Sequence, residues 1–564
     1  MKPRHALSPL TARLAAAGLA LALGAYLAAT EGEVTNIHAL AVTGALAAAL
    51  AALTRRPLLA VVAVGAAIVL ILATAHVKRL RSDFILHAWD LFDVAQWGLP
   101  VDWIAREAQL AGAALAGALL ALLIAAPLLW RLEPPHGSRA LAGVGALACA
   151  ALAAFAADLR GEPRHTQYTW ADRNLSSFYS SWPETIEALA RGALLETGPR
   201  AAPGALAPAG VCAPAEKPPH IILIHQESVT PPGALPGGLA YDRALDDFFL
   251  SHDGLRHAMR VETYGGGSWL TEFSALTGMS SRFFGGMQHF VQVYMAGRVS
   301  ESLPATLARC GYRTAMFYPY LKGYFGSSRF FESIGLSEIF DLKAQGAKTA
   351  MEQDRFYYAN ALAEIDRHLQ ASRKPLFLYV QTMAAHWPYD VTYWPERQAA
   401  GAGAASGGDV HPEMREYLRR LAMARADFEE MKAALAARFP GERFLIMHYG
   451  DHHPLATRGF FGFGNEEIEE INRRLPESSP AFVTYYASLG VNYAPPPMPR
   501  HETLDAAYLG AVLLEQARLP APDSWRARAD LMRACEGRYA ACPDRARVLA
   551  FHRKLVDSGI VRAR

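Results

Sequence analysis

The chain is poor in cysteine, in net charge and in repeated sequence. It has only five cysteines among 564 residues, and none has the paired spacing of a zinc finger. Its formal net charge is +2, and its soluble part has no basic run of the kind that follows a phosphate backbone. A nucleic-acid partner is therefore not expected. No internal repeat is present, which argues against a repeat architecture.

The few cysteines are unevenly placed. Cys149 lies inside an apolar run, while Cys212, Cys310, Cys535 and Cys542 belong to the soluble part. Four thiols permit two disulfides in an oxidising compartment, and Cys535 and Cys542 are close enough in sequence to close a small loop. Plain buried thiols are the alternative.

The first 160 residues contain long runs without charge. Five such stretches approach the roughly 20 residues that cross a bilayer core of about 30 Å. They are residues 14–30, 34–54, 57–75, 108–130 and 140–157. No small-residue cleavage site follows the first run, which favours an uncleaved anchor. We therefore predict an N-terminal α-helical transmembrane domain of about five helices over residues 1–159. Abundant alanine leaves buried soluble helices as the alternative.

Basic residues indicate how these spans are oriented. If the amino terminus is cytoplasmic, seven of them lie inside: Lys2, Arg4, Arg13, Arg55, Arg56, Arg131 and Arg139. Five crossings then place the chain after about residue 160 on the periplasmic side of the inner membrane. The loop 76–107 opposes this with Lys78, Arg79, Arg81 and Arg106. Its tryptophans 89, 97 and 103 suggest a segment in the headgroup layer, with an ordinary connecting loop as the alternative.

The rest of the chain divides into three parts. Residues 160–219 read as a juxtamembrane connector followed by a linker rich in proline, alanine and glycine. Strand-like runs then alternate with helical patterns: strands at 220–226, 312–318, 375–383, 443–449 and 481–486, and helices near 300–310, 351–370, 412–439 and 502–517. The alternation predicts an α/β, doubly wound, mostly parallel sheet. We assign 220–520 to an extracytoplasmic catalytic domain and 521–564 to a C-terminal helical extension.

Three of the predicted strands end in residues that bind metal or move protons. Glu227 follows the first apolar run, His386 follows LFLYVQTMAA, and FLIMHYG is followed by Asp451, His452 and His453. Reactive groups collect beyond the carboxyl ends of parallel strands, so these residues are expected to share one site. Glu227, Asp451 and His452 suit one divalent ion, for which we favour Mn²⁺, with Zn²⁺ and Mg²⁺ as alternatives.

A glycine turn supplies a hydroxyl to the same site. Residues 265–268 read Gly-Gly-Gly-Ser and precede a predicted helix, whose N–H groups are oriented to bind an anion. Metal coordination lowers the pKa of a bound water from 15.7 to about 7, and it lowers the pKa of a coordinated serine hydroxyl in the same way. Ser268 is therefore the predicted nucleophile and a fourth metal ligand. The alternatives are a turn without catalysis, a helix cap at Glu227, a solvated turn at Asp451 and a core histidine at His386.

Together these segments resemble the lipoteichoic acid synthase-like phosphoglycerol transferases of the alkaline phosphatase and sulfatase superfamily, over about residues 220–455. The resemblance implies an alkaline phosphatase-like catalytic fold behind a membrane anchor. The motif ILIHQES places the family's metal-binding glutamate on Glu227, and GGGSWLTEFSALTG places its nucleophile on Ser268. YGDHHP places the aspartate and histidine ligands on Asp451 and His452, and AHWPY places the substrate-side histidine on His386.

The chain departs from this family at two points. The nucleophile is serine where the family usually has threonine. The family's Asn-Arg-Asp pattern appears here as Gly-Ser-Ser at 326–328, so its phosphate-gripping arginine is missing. Arg329 or Lys322 is the predicted substitute, and His453 is assigned to the substrate side.

The function predicted from the resemblance is transfer of a phospholipid head group to a cell-envelope glycan or lipid through phospho-Ser268. Phosphatidylglycerol is the expected donor. Sulfate ester hydrolysis is not expected, because a sulfatase needs proline and arginine where this chain has Leu270 and Glu272. One alternative is a phosphoethanolamine transferase acting on lipid A or glycan. An alternative of another class is a catalytically inactive envelope receptor or assembly protein.

Overall fold

The computed structural model describes residues 6–31, 33–82, 84–92, 104, 108–159, 175–199, 205–397 and 410–562. Several residues used above lie outside these ranges: Lys2, Arg4, Trp97, Trp103, Arg106 and, of the predicted connector and linker 160–219, residues 160–174 and 200–204. The chain forms two compact units, Met1–Arg191 and Gly192–Arg564. The finer division at residues 159, 219 and 520 stays a prediction.

Long apolar helices build the first unit. They are α1 (Pro9–Thr30), α2 (Glu33–Thr54), α3 (Pro57–Ser82), α4 (Gln109–Leu120), which runs through a π-helical turn at Ala121–Ala125 into α5 (Ala126–Leu132), and α6 (Arg139–Leu159). Two short helices, α7 (Leu175–Ser180) and α8 (Trp182–Arg191), complete the unit.

These helices have the exposure of membrane spans rather than of buried soluble helices. Among the described residues, five helices are long and apolar enough to cross a membrane, with 109–132 counted as one. In the first, fourth and fifth of them only 17 %, 6 % and 11 % of the apolar window is buried within the protein. Apolar surface of this extent needs a lipid environment. The chain is therefore a membrane protein.

One of the basic residues in the loop 76–107, which opposed the predicted orientation, is paired with an acidic residue inside this unit. Lys78 forms an ion pair with Asp90 at 2.7 Å, and both side chains are buried. Trp89 is also buried, with 4 % of its surface exposed. Its indole therefore packs inside the unit, and the charge of Lys78 is compensated by Asp90. The position of this segment relative to the headgroup layer stays a prediction.

The second unit contains one eight-stranded sheet. Its strands are β1 (His220–Gln226), β2 (His257–Arg260), β3 (Arg313–Phe317), β4 (Glu338–Phe340), β5 (Leu376–Thr382), β6 (Phe444–Gly450), β7 (Val483–Val491) and β8 (Leu504–Asp505). Their order is β4-β3-β5-β1-β6-β7-β2-β8, and only β7 runs antiparallel to its neighbours. The predicted α/β fold with a mostly parallel sheet is confirmed.

Helices accompany the strands through the whole unit. They are α9 (Ser268–Thr277), α10 (Val291–Met295), α11 (Leu303–Arg309), α12 (Ser327–Ser333), α13 (Asp354–Ala371), α14 (Pro412–Arg438), α15 (Ile468–Arg474), α16 (Leu509–Gln516), α17 (Asp523–Ala534) and α18 (Arg545–Asp557). The helix predicted at 502–517 was placed too early. Leu504–Asp505 pair with β2, so the helix begins only at Leu509.

The centre of the sheet is buried on both faces. Every residue of β1, β5 and β6 is buried, as expected for parallel strands covered by helices. Two disulfides cross-link the unit, Cys212–Cys310 and Cys535–Cys542. For Cys535 and Cys542 the disulfide is therefore the correct one of the two alternatives. Cys149 remains free.

Candidate active site

The strand order brings the predicted site residues to one edge of the sheet. β1 lies between β5 and β6 and is parallel to both. Glu227 follows β1 directly and Asp451 follows β6 directly, while His386 comes four residues after the end of β5. Residues more than 200 positions apart in sequence therefore meet beyond adjacent carboxyl ends.

The glycine turn brings Ser268 to this edge. Gly265, Gly266 and Gly267 have φ angles of +75°, +155° and +81°, which side-chain-bearing residues rarely adopt. A Cβ atom on Gly265 would also stand 2.8 Å from Leu455 Cδ2. Ser268 is the first residue of α9, as predicted, so its hydroxyl lies at the helix N-terminus.

Ser268 contacts the carboxylate and imidazole groups predicted to share its site. Its hydroxyl donates a hydrogen bond to Glu227 Oε2 at 2.9 Å and lies 3.3 Å from His452 Nε2. His452 Nε2 in turn is 3.2 Å from Glu227 Oε1 and 3.3 Å from Asp451 Oδ2. The structure thus brings together Glu227, Ser268, Asp451 and His452. Their roles as ligands and nucleophile stay predictions.

A fifth group in this cluster was missed from the sequence. His225 is fully buried, and its Nε2 lies 3.2 Å from Asp451 Oδ2 and 3.6 Å from Glu227 Oε2. His225, Glu227 and Asp451 offer ligand atoms that all lie within 4.8 Å of one another. The available signal was strand periodicity, because residues two apart in a strand point to the same side.

Backbone contacts lock the two carboxylate-bearing strand ends together. Ser228 has a left-handed φ of +58°, and its N–H donates to Asp451 Oδ1 at 2.8 Å. Gly450, just before Asp451, comes so close to the β1 end that a Cβ atom would stand 1.8 Å from the Val229 carbonyl oxygen. A strained non-glycine residue beside Glu227 is the kind of feature that clusters at functional sites.

Opposite charges balance within the cluster. Burial alone would raise the pKa of Glu227, but the neighbouring imidazoles of His225 and His452 hold it well below its ordinary value. Burial alone would lower the pKa values of both histidines, yet the negative charge of Asp451 raises them, to about 10 for His225 and about 9 for His452. Opposite charges in the cluster thus stabilise one another.

The donor set fits a divalent metal ion. His225 Nε2 and Asp451 Oδ2 are buried and lack a hydrogen-bond partner among the residues that the structure describes. Buried polar atoms are normally satisfied, so an unpaired donor and acceptor in one cluster call for a further partner. Two carboxylates, imidazole nitrogen and a hydroxyl form a ligand set that Zn²⁺ and Mn²⁺ accept.

A buried arginine holds the loop that carries His386. Arg420 of α14 donates to the carbonyl oxygens of His386, Pro388 and Val391 at 2.6–2.7 Å, and its Nε atom bonds the Glu416 carboxylate at 2.7 Å. The ring of His386 is half-buried, and its proximity contributes to the low pKa of Glu227. Its predicted place on the substrate side agrees with this position and stays a prediction.

Asp354 fixes the start of the same loop. Its Oδ1 atom accepts hydrogen bonds from the N–H groups of Met383 and Ala384, at 3.2 and 2.9 Å. Burial raises the pKa of Asp354 to about 7. In the unfolded chain an aspartate titrates near 3.9. Between these two values the folded protein keeps a proton that the unfolded chain releases, so this group makes folding less favourable as the pH rises.

Asp354→Asn should therefore gain stability over the wild type with rising pH. Asparagine keeps an oxygen for the Met383 and Ala384 N–H groups but never ionises. The difference in free energy of unfolding should grow from about pH 4 to about pH 7, reach a few kcal/mol, and stay level above that. Thermal unfolding midpoints of both proteins across this range measure it. A difference that is constant or shrinks with pH would contradict the assignment.

The remaining predicted residues lie around this centre. His453 is buried, and its Nε2 atom donates to the Val483 carbonyl at 2.7 Å, which gives it a structural contact; burial lowers its pKa to about 4. Lys322 forms an ion pair with Glu332 at 2.5 Å, and Arg329 is exposed on α12. The substrate-binding roles of His453, Lys322 and Arg329 stay predictions.

An aromatic pair lies in the loop that precedes the missing family arginine. Tyr320 stacks on Tyr324 with ring centroids 4.3 Å apart. Burial and the negative charge of Glu227 raise the pKa of Tyr320 well above its ordinary value. Sequence reasoning missed this residue, which lies within electrostatic reach of Glu227 and beside the segment 326–328.

A protein-family model matches part of the second unit. Residues 255–470 match the sequence model of the sulfatase family, described as "Sulfatase". This segment spans the nucleophile turn, the His386 loop and the Asp451–His452 pair. Residues 255–470 thus belong to a sulfatase-type domain, and the resemblance to the sulfatase-type family drawn from the motifs is confirmed.

Individual relatives are distant. An uncharacterized protein from Haemophilus influenzae is 23% identical over 320 residues, which cover 54% of this chain. The chain matches about half the length of that relative, 52%. A Streptococcus pyogenes phosphoglycerol transferase solved with sn-glycerol-1-phosphate is 17% identical, with a TM-score of 0.46 over 62% of this chain and 87% of that one. A Neisseria meningitidis lipooligosaccharide phosphoethanolamine transferase is 11% identical, with a TM-score of 0.42 over 92% and 99%.

Proposed function

We propose that the protein is a membrane-anchored, metal-dependent phosphotransferase. It moves a phospholipid head group, phosphoglycerol in the first instance, to an envelope glycan or lipid through a phospho-serine intermediate. The observation that carries this proposal is the position of the Ser268 hydroxyl, 2.9 Å from Glu227 Oε2 and 3.3 Å from His452 Nε2. A hydroxyl in contact with a carboxylate-imidazole cluster is suited to metal activation.

Glu227, Asp451, His452 and the Ser268 oxygen would hold the ion, for which Mn²⁺ is favoured and Zn²⁺ and Mg²⁺ are alternatives. When bound, the ion lowers the pKa of the serine hydroxyl and offsets negative charge on the phosphate. The hydroxyl proton of Ser268 already has an acceptor in Glu227 Oε2. The N-terminus of α9 presents N–H groups to the incoming anion.

The reaction has two halves. In the first, Ser268 Oγ forms a bond to the head-group phosphorus while the bond from phosphorus to the diacylglycerol oxygen breaks. Diacylglycerol leaves with a proton, for which we assign His386 as the donor. In the second half, the acceptor hydroxyl attacks the phosphorus of phospho-Ser268 and gives its proton to His386, which lost one in the first half. The bond from phosphorus to Ser268 Oγ breaks, and the serine oxygen takes back its proton from Glu227.

The disulfides and the candidate spans support an extracytoplasmic compartment for the second unit. Cys212–Cys310 and Cys535–Cys542 are bonds that persist in oxidising surroundings. Five crossings from a cytoplasmic amino terminus put the unit that carries them outside the inner membrane. The bilayer then holds the donor phospholipid and retains the diacylglycerol product.

The test uses the full-length protein in vesicles of phosphatidylglycerol or of phosphatidylethanolamine. Diacylglycerol release and the mass of the peptide containing Ser268 are measured. The proposal expects diacylglycerol and a phosphoglycerol adduct with phosphatidylglycerol alone. An adduct only with phosphatidylethanolamine would make the protein a phosphoethanolamine transferase. Neither product with either lipid would favour the inactive receptor. Mass spectrometry of envelope lipids and glycans from cells with and without the protein then identifies the acceptor.

A further inference from the structure

His225 has no part in the mechanism above, although it lies at the centre of the cluster. It belongs to β1, is fully buried, and directs Nε2 at two carboxylates, 3.2 Å from Asp451 Oδ2 and 3.6 Å from Glu227 Oε2. In the part of the chain that the structure describes, neither His225 Nε2 nor Asp451 Oδ2 has a hydrogen-bond partner. Two buried polar atoms this close, yet not bonded to each other, point to a third group that binds both.

The spacing of the donor atoms is that of a single coordination shell. Ligand bonds of about 2.0–2.2 Å place neighbouring donors of one ion about 3.0–3.5 Å apart. Neighbouring donors here are separated by 2.9 Å (Ser268–Glu227), 3.2 Å (His452–Glu227), 3.3 Å (His452–Asp451), 3.3 Å (Ser268–His452) and 3.2 Å (His225–Asp451). The distance from His225 Nε2 to Asp451 Oδ2 thus lies within the 2.9–3.3 Å range of the four contacts among the predicted ligands.

The contacts of the other ring nitrogen of His225, Nδ1, determine whether Nε2 presents a proton or a lone pair to the carboxylates. Nδ1 lies 3.1 Å from the hydroxyl oxygens of Tyr379 and Tyr449. Tyr379 donates its own proton to Glu272 Oε1 at 2.8 Å, and Gln292 donates to the other oxygen of that carboxylate at 2.8 Å. The Tyr379 oxygen therefore has only lone pairs to offer its other neighbours, and the Tyr449 hydroxyl, 2.9 Å away, has an acceptor there for its own proton. With both hydroxyl protons placed in this way, the two oxygens accept from Nδ1, and Nδ1 carries the hydrogen. In neutral imidazole the lone pair is then on Nε2, facing the carboxylates.

We propose that His225 Nε2 is a fifth protein ligand of the divalent ion, and that Tyr379 and Glu272 are positioning residues that fix its tautomer. This inference rests on the proposed function only for the location of the ion. A hydrogen-bonded partner behind a metal-binding histidine is a recurring feature of metal sites. A second imidazole shifts the preference of the site toward Zn²⁺ and away from Mg²⁺, which prefers oxygen.

Metal binding by the full-length protein in detergent tests the proposal. The metal-stripped protein is titrated with Co²⁺ and with Zn²⁺, and dissociation constants and the Co²⁺ absorption spectrum are recorded. His225→Asn should weaken binding by about 100-fold and change the spectrum. Tyr379→Phe keeps the ligand but removes its support, and should weaken binding by about 10-fold.

His448→Asn is the matched control. His448 is a fully buried histidine of β6, and its Nδ1 lies 2.9 Å from a tyrosine hydroxyl, that of Tyr485. It belongs to no part of the cluster, so this variant should bind Co²⁺ as the wild type does.

Wild-type affinity and an unchanged spectrum in His225→Asn would overturn the inference, because His225 would then be only a counter-charge for the carboxylates. If that variant does not fold, unchanged affinity in Tyr379→Phe overturns it. The readout is independent of head-group transfer. Binding that depends on His225, in a protein that transfers no head group, would refute the proposed function and leave the ligand assignment standing.

Discussion

Ser268→Ala should abolish head-group transfer. The variant lacks the only atom assigned to attack phosphorus, and loss of a nucleophile typically lowers kcat by a factor on the order of 10⁴ or more. The fold should persist, because the Ser268 side chain is only half-buried and its hydrogen bond to Glu227 lies at the edge of the site. Diacylglycerol release, the Ser268 peptide mass and the thermal unfolding midpoint are the measurements.

Ser268→Thr is the matched variant. Threonine keeps the hydroxyl, and it is the usual nucleophile in the family that the motifs resemble, so this variant should retain turnover. A third substitution, Ser274→Ala, removes a serine of the same helix whose hydroxyl bonds the buried Glu262 at 2.6 Å; it should affect stability more than transfer. Transfer at the wild-type rate by Ser268→Ala would remove the covalent step.

The sequence predicted the centre of the sheet well because local pattern determines it. β1 was predicted with its observed bounds, His220–Gln226, since a continuous apolar run is what a strand buried on both faces requires. The meeting of Glu227 with Asp451 followed from the rule that parallel strands carry reactive groups at one edge. Ser268 was placed at a helix start because three glycines precede it.

The features that were not predicted depend on long-range pairing. β2 and β8 have four and two residues, too few for a periodic pattern, and they form by pairing with each other and, for β2, with β7. The antiparallel direction of β7 leaves no trace in its own residues.

Two positions of the candidate site were not recognised because the sequence around each of them is typical of another environment. His225 lies within an apolar run, where a single histidine is easily taken for a core residue. Arg420 lies in the charged helix α14, where an arginine is ordinarily a solvated one, yet it is fully buried against the His386 loop. Only the position of a second chain segment reveals what either side chain binds.

Asp451→Asn should greatly weaken binding of the proposed metal ion. Asp451 is fully buried; its Oδ1 accepts the Ser228 N–H, and its Oδ2 faces His452 Nε2 at 3.3 Å. Asparagine keeps the first contact but replaces Oδ2 by a neutral N–H donor, which removes one negative charge and one ligand. We expect metal affinity to fall by more than about 100-fold, and transfer to fall with it. Metal content after dialysis and the rate of diacylglycerol release measure both effects.

Asp505→Asn is the control that separates loss of the ion from loss of a buried carboxylate. Asp505 is also buried, and its Oδ2 accepts backbone N–H groups from Tyr539 and Ala540, at 2.6 and 3.0 Å, away from the cluster. The Asp505→Asn protein should keep a full equivalent of metal. If Asp451→Asn also kept a full equivalent and transferred head groups at the wild-type rate, the ion would have to be bound elsewhere. If excess metal restored transfer to Asp451→Asn, the carboxylate would act through affinity alone, as a ligand should.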